Sequence, residues 1–146
     1  MSRNYSVRML SWADARDAAR RVRFAVFVEE QGVPAEIELD EWDATSVHAL
    51  ALDSTGRAIA TGRLLPDGHV GRMAVLHAWR GKGVGAAILV ALLACARERG
   101  VKRVILNAQT HARGFYARHG FTQHGGEFME AGIPHVTMER RLDEGD

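Results

Sequence analysis

Apolar positions change their period several times along the chain, and each change marks a boundary between elements. Tyr5 to Leu10 alternates and predicts a short strand. Ser11-Trp12-Ala13-Asp14 then has the form of a helix entry. The serine hydroxyl can accept a helix amide, and Asp14 sits at the positive helix end. Ala15, Ala18, Ala19, Val22 and Val26 recur at helical spacing, which predicts a first helix to about Val28, stopped by Gly32 and Pro34. After an acidic segment, Val47 to Leu52 and Arg57 to Leu65 read as strands joined around Ser54-Thr55-Gly56. Pro66-Asp67-Gly68 is a further turn signal, and His69 to Leu76 is a third strand. The connections are too short for crossover helices, so these strands form an antiparallel meander.

The period then returns to that of a helix. Val84 to Arg99 is apolar on nearly every side and predicts a helix buried on nearly every side, ended by Gly100. Val101 to Ala108 follows as a strand that can lie parallel to the previous one, because a helix of crossover length separates them. A shorter helix from His111 to His119 ends at Gly120. Phe121 to Met129 and His135 to Leu142 close the chain as a hairpin around Gly132-Ile133-Pro134. The predicted fold class is α+β (mixed α/β): mostly antiparallel strands, one βαβ unit in the middle and a closing hairpin, in a single domain over residues 1–146.

Composition narrows the function classes. At 146 residues such a domain buries about two-thirds of its unfolded surface. Its 19 basic and 18 acidic side chains leave a net charge of +1, too balanced for an electrostatic grip on nucleic acid. Cys95 is the one cysteine, so neither an internal disulfide nor a thiolate metal site is expected; His48 and His77 have no partner at metal-ligand spacing and read as structural. The amino-terminal MSRNYSVRML has no apolar core of signal-peptide length. The longest run of apolar and glycine residues, Val84 to Ala96, has 13 residues against the roughly 20 needed to span a bilayer. The expectation is a soluble cytoplasmic protein without metal, membrane or nucleic-acid partner.

The candidate chemistry lies in Arg80-Gly81-Lys82-Gly83-Val84-Gly85, three glycines between a strand and a helix. A Walker-type loop is excluded, because Leu76 stands where its first glycine belongs and Gly83 where its Ser or Thr belongs. Gly81, Gly83 and Ala86 satisfy G-x-G-x-x-A, but the acidic ribose partner about 20 positions on is missing, and only one βαβ unit is present. The third reading is a coenzyme A diphosphate loop, R-G-x-G-[VI]-G. Glycines allow backbone angles closed to other residues, and bare N–H groups at a helix start favour an anion. Arg80 and Lys82 add positive charge. The bland alternative is a tight turn with solvated cations.

With this loop, and with Ala112, Phe115, Tyr116, Gly120 and Phe121 in the pattern A-x-x-[FL]-Y-x-x-x-G-F, the chain resembles a GCN5-related N-acetyltransferase (GNAT) over essentially its whole length. Val26 to Asp43 further resembles the YjcF-like branch. Gln109 departs from the asparagine of many members. The resemblance implies a central, mostly antiparallel twisted sheet flanked by helices, with a splayed parallel strand pair. The pantetheine arm would run along Met73, Ala74 and Val75, where a backbone N–H near Val75 polarises the acetyl carbonyl. Cofactor contacts are expected from Met73, Ala74, Val75, Arg80, Gly81, Lys82, Gly83, Val84, Gly85 and Asn107, with acetyl-CoA as co-substrate.

Tyr116 matches the tyrosine that, in the family the chain resembles, protonates the leaving thiolate. A lysine-like amine has a pKa of about 10.4, so near pH 7 about one molecule in two thousand is a free nucleophile, and a base would help. Glu29 and Glu30 close the first helix, which the resemblance places beside the acceptor groove, and His135 begins the last strand beside the cleft so implied. Each also reads as a surface group, the commoner role of such residues, Glu30 and His135 being the catalytic candidates. The acidic run Glu36, Glu38, Asp40, Glu41 and Asp43 can attract a cationic amine or can be a solvated loop. Cys95 reads as a buried, inert thiol. The expected activity is acetyl transfer from acetyl-CoA to a primary amine, on a small molecule or a protein, directly within a ternary complex; a homodimer is left open. A non-catalytic acyl-CoA sensor and an NADP-dependent reductase remain as rivals.

Overall fold

The computed structural model describes residues 4–142, so Met1, Ser2 and Arg3 of the amino-terminal stretch lie outside it. Strands β1 (Tyr5–Ser11), β2 (Val47–Asp53), β3 (Ala58–Leu64) and β4 (Val70–Val75) form one antiparallel sheet in chain order. A second sheet is built from β5 (Arg103–Gln109), β6 (Thr122–Glu130) and β7 (Ile133–Arg141), with β7 between the other two. The parallel contact read from the sequence is a single bridge, His69 to Ile105, where the Ile105 N–H donates to the Gly68 carbonyl at 3.2 Å. Gly68 has φ +95°, and a Cβ there would stand 2.9 Å from the Arg103 carbonyl oxygen. Only glycine lets the chains meet so closely. Beyond that bridge β4 and β5 have no ladder among the described residues, and the splay opens toward Val75 and Gln109.

The first helix, α1 (Trp12–Arg23), begins as the sequence predicts: the Ser11 hydroxyl accepts the Asp14 N–H at 3.4 Å. It does not stop at Val28. Phe24–Glu30 continues it as a π-helix, and Gln31 N–H still reaches the Val26 carbonyl at 3.1 Å. Such wide turns are rare and favour functional sites. A short helix α2 (Ala35–Glu38) follows. Small side chains of α1, Ala15, Ala19 and Val22, pack with Leu50, Ala58 and Ala74 on one face of the first sheet.

The long helix α3 (Val84–Glu98) covers the opposite face with Val84, Ile88, Leu89, Leu92 and Leu93, against Ile59, Leu64, Val104, Leu106 and Met138. Burial on nearly every side is not what forms. Val90 is 55% exposed, Ala94 is exposed and Cys95 is only half-buried. The sheets cover one side of the cylinder, and alanines on the far side make the helix look more apolar than it is buried. Strand β4 is therefore sandwiched, with Ala74 in the α1 cluster and Met73 and Val75 against the α3 cluster.

Two further expectations change. The hairpin turns on Ala131-Gly132, whose φ values are 52° and 76°, and Ile133 and Pro134 already belong to β7. A two-residue turn with both φ positive matches the strand twist. The acidic run divides: Glu36 and Glu41 are exposed, as a solvated loop would have them, while Glu38 and Asp43 are buried around Arg23, itself 0% exposed. Arg23 donates to Glu38 at 2.7 Å and to Asp43 at 2.8 Å. Arg63 donates to Asp40 at 2.6 Å and to Asp43 at 2.9 Å. Arg72 adds a bond to the Glu38 carbonyl at 2.9 Å and reaches Asp40 at 3.2 Å. His48 Nε2 lies 2.9 Å from the Asp43 carbonyl, as befits the structural role read for it.

Candidate active site

The glycine loop starts α3. Gly81 and Gly83 have φ +75° and +82°, and Gly83 is the N-cap. A β-carbon at Gly83 would meet no atom within 4 Å, so its φ is what demands glycine. The Ala87 N–H makes the first helical bond, to the Gly83 carbonyl at 3.1 Å. The amides ahead of it lack an intrahelical partner, as in any α-helix, and form the positive end of a 15-residue dipole. Lys82 is exposed beside them.

Strand β4 leads into this loop along the splay. Leu76 N–H donates to the Ile59 carbonyl at 2.9 Å, so by the alternation of an antiparallel ladder Val75 turns its N–H and C=O away from β3, into the gap toward β5. Further back, Thr61 pairs with Ala74 but Arg63 with Gly71, which leaves Arg72 and Met73 opposite the single residue Gly62. Arg72 takes φ 50° in this bulge. Arg80 is not a free loop cation. Its Nε donates to the Val75 carbonyl at 3.0 Å, and its two Nη atoms bind both Glu30 oxygens at 2.6 Å.

Tyr116 comes to the same gap from the other strand. It stands on α4 (Arg113–Arg118), after a 3-10 turn Thr110–Ala112, and its hydroxyl donates to Met73 Sδ at 3.5 Å. Phe115 and Phe121 hold the ring edge-on, with centroids 5.0 and 5.9 Å away. Burial pushes the Tyr116 pKa up to about 12, so near neutral pH the phenol keeps its proton and is a donor. The structure thus brings together Met73, Val75, Tyr116 and the glycine loop, far apart in sequence.

Glu30 has another employment than the expected base. The hydrogen bonds from Arg80 lower its pKa, which outweighs the opposing effect of burial, and a carboxylate so held is a poor proton acceptor. The next residue, Gln31, exchanges amide hydrogen bonds with Gln109 at 2.9 and 3.3 Å, and His111 Nε2 lies 2.7 Å from Gln109 Oε1. Gln109, the departure noted in the sequence, ties the end of β5 to the end of the π-helix. Neither Gln31 nor this tie carried a signal in the sequence.

The remaining candidates share the outward face of the second sheet. His135 is 6% exposed; its Nδ1 lies 2.7 Å from the Ile133 carbonyl and its ring stacks on Phe128. A carbonyl accepts, so Nδ1 carries the hydrogen and Nε2 is the basic nitrogen of the neutral ring. Nε2 lies 3.7 Å from Glu130. The Asn107 side chain does not enter the gap. It donates to Glu130 at 3.2 Å and accepts from Thr137 at 3.1 Å, because the alternation of β5 turns it outward. Glu130 is the residue the sequence reading missed: with the turn placed on Ala131-Gly132, strand alternation puts it on the face of His135. Among the described residues no group of three or more His, Cys, Asp or Glu could hold a metal, and no helix is long and apolar enough to cross a membrane.

Known proteins resemble this chain throughout. The acetyltransferase (GNAT) domain family matches residues 15–142. The uncharacterized N-acetyltransferase YjcF of Bacillus subtilis (strain 168) is 43% identical over 121 residues, covering 80% of this chain and 86% of that protein. A crystal structure of an acyl-CoA N-acyltransferase from Pseudomonas aeruginosa superposes with a TM-score of 0.83 at 30% identity, over 93% of this chain and 99% of that one. ElaA of Escherichia coli gives 0.83 at 29% identity, over 94% and 99%.

Proposed function

Because this chain belongs to the GNAT acetyltransferase family and is an acyltransferase, we propose that it moves an acetyl group from acetyl-CoA to a primary amine, directly and within a ternary complex. The glycine loop cradles the diphosphate with the open amides ahead of Ala87, and Lys82 adds charge. The thioester lies in the gap between β4 and β5. There the Val75 N–H faces the carbonyl oxygen and stabilises the charge that develops on it, an effect commonly worth about 3–4 kcal/mol.

Proton transfers complete the reaction. The ammonium form of the acceptor gives one proton to a base, and His135 Nε2 is the group suited to take it. The free amine attacks, the C–N bond forms and the C–S bond then breaks. The sulfur takes up the Tyr116 proton, and the phenol regains one from the nitrogen of the tetrahedral adduct. The other proton leaves through His135 to solvent, so charge and atoms balance.

The observation that supports this reading best is the meeting of the Tyr116 hydroxyl and Met73 at the splay that the glycine loop closes. The test is thiol release from acetyl-CoA with a panel of primary amines. Release that depends on the amine is expected. Coenzyme A binding without release would make the protein a sensor, and displacement of a bound ligand by NADPH but not by coenzyme A would overturn the cofactor assignment.

A further inference from the structure

Resting on that reading, we infer that Glu130 is the acceptor-binding carboxylate and that the acceptor class is an alkylammonium without a carboxylate on the adjacent carbon. Glu130 closes β6 immediately before the Ala131-Gly132 turn, on the face that carries His135, Thr137, Asn107 and Gln109. The short turn fixes its place, and the Asn107 amide holds one oxygen at 3.2 Å. Its other oxygen lies 3.7 Å from His135 Nε2, the nitrogen left basic by the Ile133 contact. A group that gives its proton to that nitrogen must therefore stand within reach of this carboxylate.

Charge balance separates Glu130 from its neighbours. Glu139, on the same face, lies 3.7 Å from Arg103 and 3.4 Å from His124. Glu30 is taken by Arg80, and Asp40, Glu38 and Asp43 by arginines. Glu130 has no permanent cation among the described residues: its partners are a neutral amide and an imidazole. At 47% side-chain exposure it is open to a ligand. An ammonium completes it, while an acceptor with a carboxylate beside its amine brings a like charge to the same spot.

The experiment compares 1-aminobutane with 2-aminopentanoate, which adds a carboxylate on the carbon bearing the amine, at saturating acetyl-CoA, in wild type and Glu130→Gln. Wild type is expected to favour 1-aminobutane in kcat/KM by at least about tenfold after correction for free-amine fraction, the scale of one hydrogen bond to a charged group. Glu130→Gln is expected to bring that ratio toward one, chiefly through KM for 1-aminobutane, with KM for acetyl-CoA unchanged. A ratio the substitution does not move, with acetyl transfer intact, would overturn the Glu130 assignment alone. Absence of thiol release from wild type with either amine would overturn the acetyl-transfer reading beneath it.

Discussion

Around Arg23 and around Arg80 the same pairing, a guanidinium gripped by carboxylate, serves different ends. Arg23 is wholly buried, and Glu38 and Asp43 beside it are 6% and 4% exposed in their side chains. Arg63 and Asp40 extend the cluster, and Trp12 lies over Arg23 with its centroid 5.5 Å away. Arg80 and Glu30 are 38% and 39% exposed and stand at the mouth of the gap. The buried group fastens the segment after the π-helix to the sheet. The exposed pair is held where a diphosphate is expected, and solvent compensates each partner if it is released. Proximity of opposite charges therefore does not identify a site; what separates the two regions is whether a charge can leave its partner.

The sharpest way to break the comparison is to remove the two arginines in turn. Arg23→Ala strands the buried Glu38 carboxylate and leaves Asp43 with Arg63 alone, and is expected to destabilise the fold by about 3–5 kcal/mol. Arg80→Ala is expected to cost no more than about 1 kcal/mol, as for other exposed pairs. Denaturant unfolding reads both, and equal losses would erase the distinction. Acid unfolding carries the same information. Hydrogen bonds from Arg63 lower Asp40, and burial raises Asp43 but is outweighed by Arg23 and Arg63, so both carboxyls sit below their ordinary 3.8. Groups lowered on folding stabilise the protein above the unfolded value, and that contribution is lost as pH falls through the folded values. Arg23→Ala should accordingly move the acid midpoint to higher pH.

At the open region, Tyr116→Phe is the next largest effect. It removes the proton donor and keeps the ring packed between Phe115 and Phe121. Turnover is expected to fall by more than about tenfold, with coenzyme A affinity nearly unchanged. Single-turnover kinetics and calorimetric titration separate the two, and unchanged turnover would remove Tyr116 from the chemistry. Gly83→Val follows. A β-branched residue held at φ +82° is strained by about 1–3 kcal/mol, so coenzyme A should bind roughly tenfold or more weakly. Full affinity would mean that the loop does not need its left-handed turn.

The legible and illegible parts of the molecule divide on the same physical line. Strand periods, the Ser11 cap and the glycine loop are local patterns, and residues a few positions apart enforce them. The bulge at Arg72-Met73 has no local signature, because it exists where β3 and β4 fall out of step. The π-helix is equally hidden: Phe24 to Glu30 reads as ordinary amphipathic helix, and only the backbone bonds, such as Gln31 N–H to the Val26 carbonyl five residues back, reveal the extra width. The pairing of Glu38, Asp40 and Asp43 is hidden for a related reason. Their partners Arg23, Arg63 and Arg72 arrive from three different elements, and no spacing within Glu36 to Asp43 announces them. Glu130 is hidden because the expected strand ends at Met129, one residue short of the true end of β6.

The smallest expected effect bears most directly on the exposed pair. Glu30→Gln keeps the shape of the side chain and removes its charge. If Glu30 only holds Arg80, stability should change by less than about 1 kcal/mol and turnover by less than about threefold, the scale of an exposed ion pair. Arg80, no longer neutralised, should then meet a diphosphate more readily, so the dissociation constant of coenzyme A should fall or stay level. Were Glu30 the base, turnover would drop by two orders of magnitude or more, the usual contribution of general base catalysis. His135→Gln gives the opposite expectation, a large loss of turnover with coenzyme A affinity retained. Running the two substitutions side by side across pH decides which region the acceptor's proton crosses.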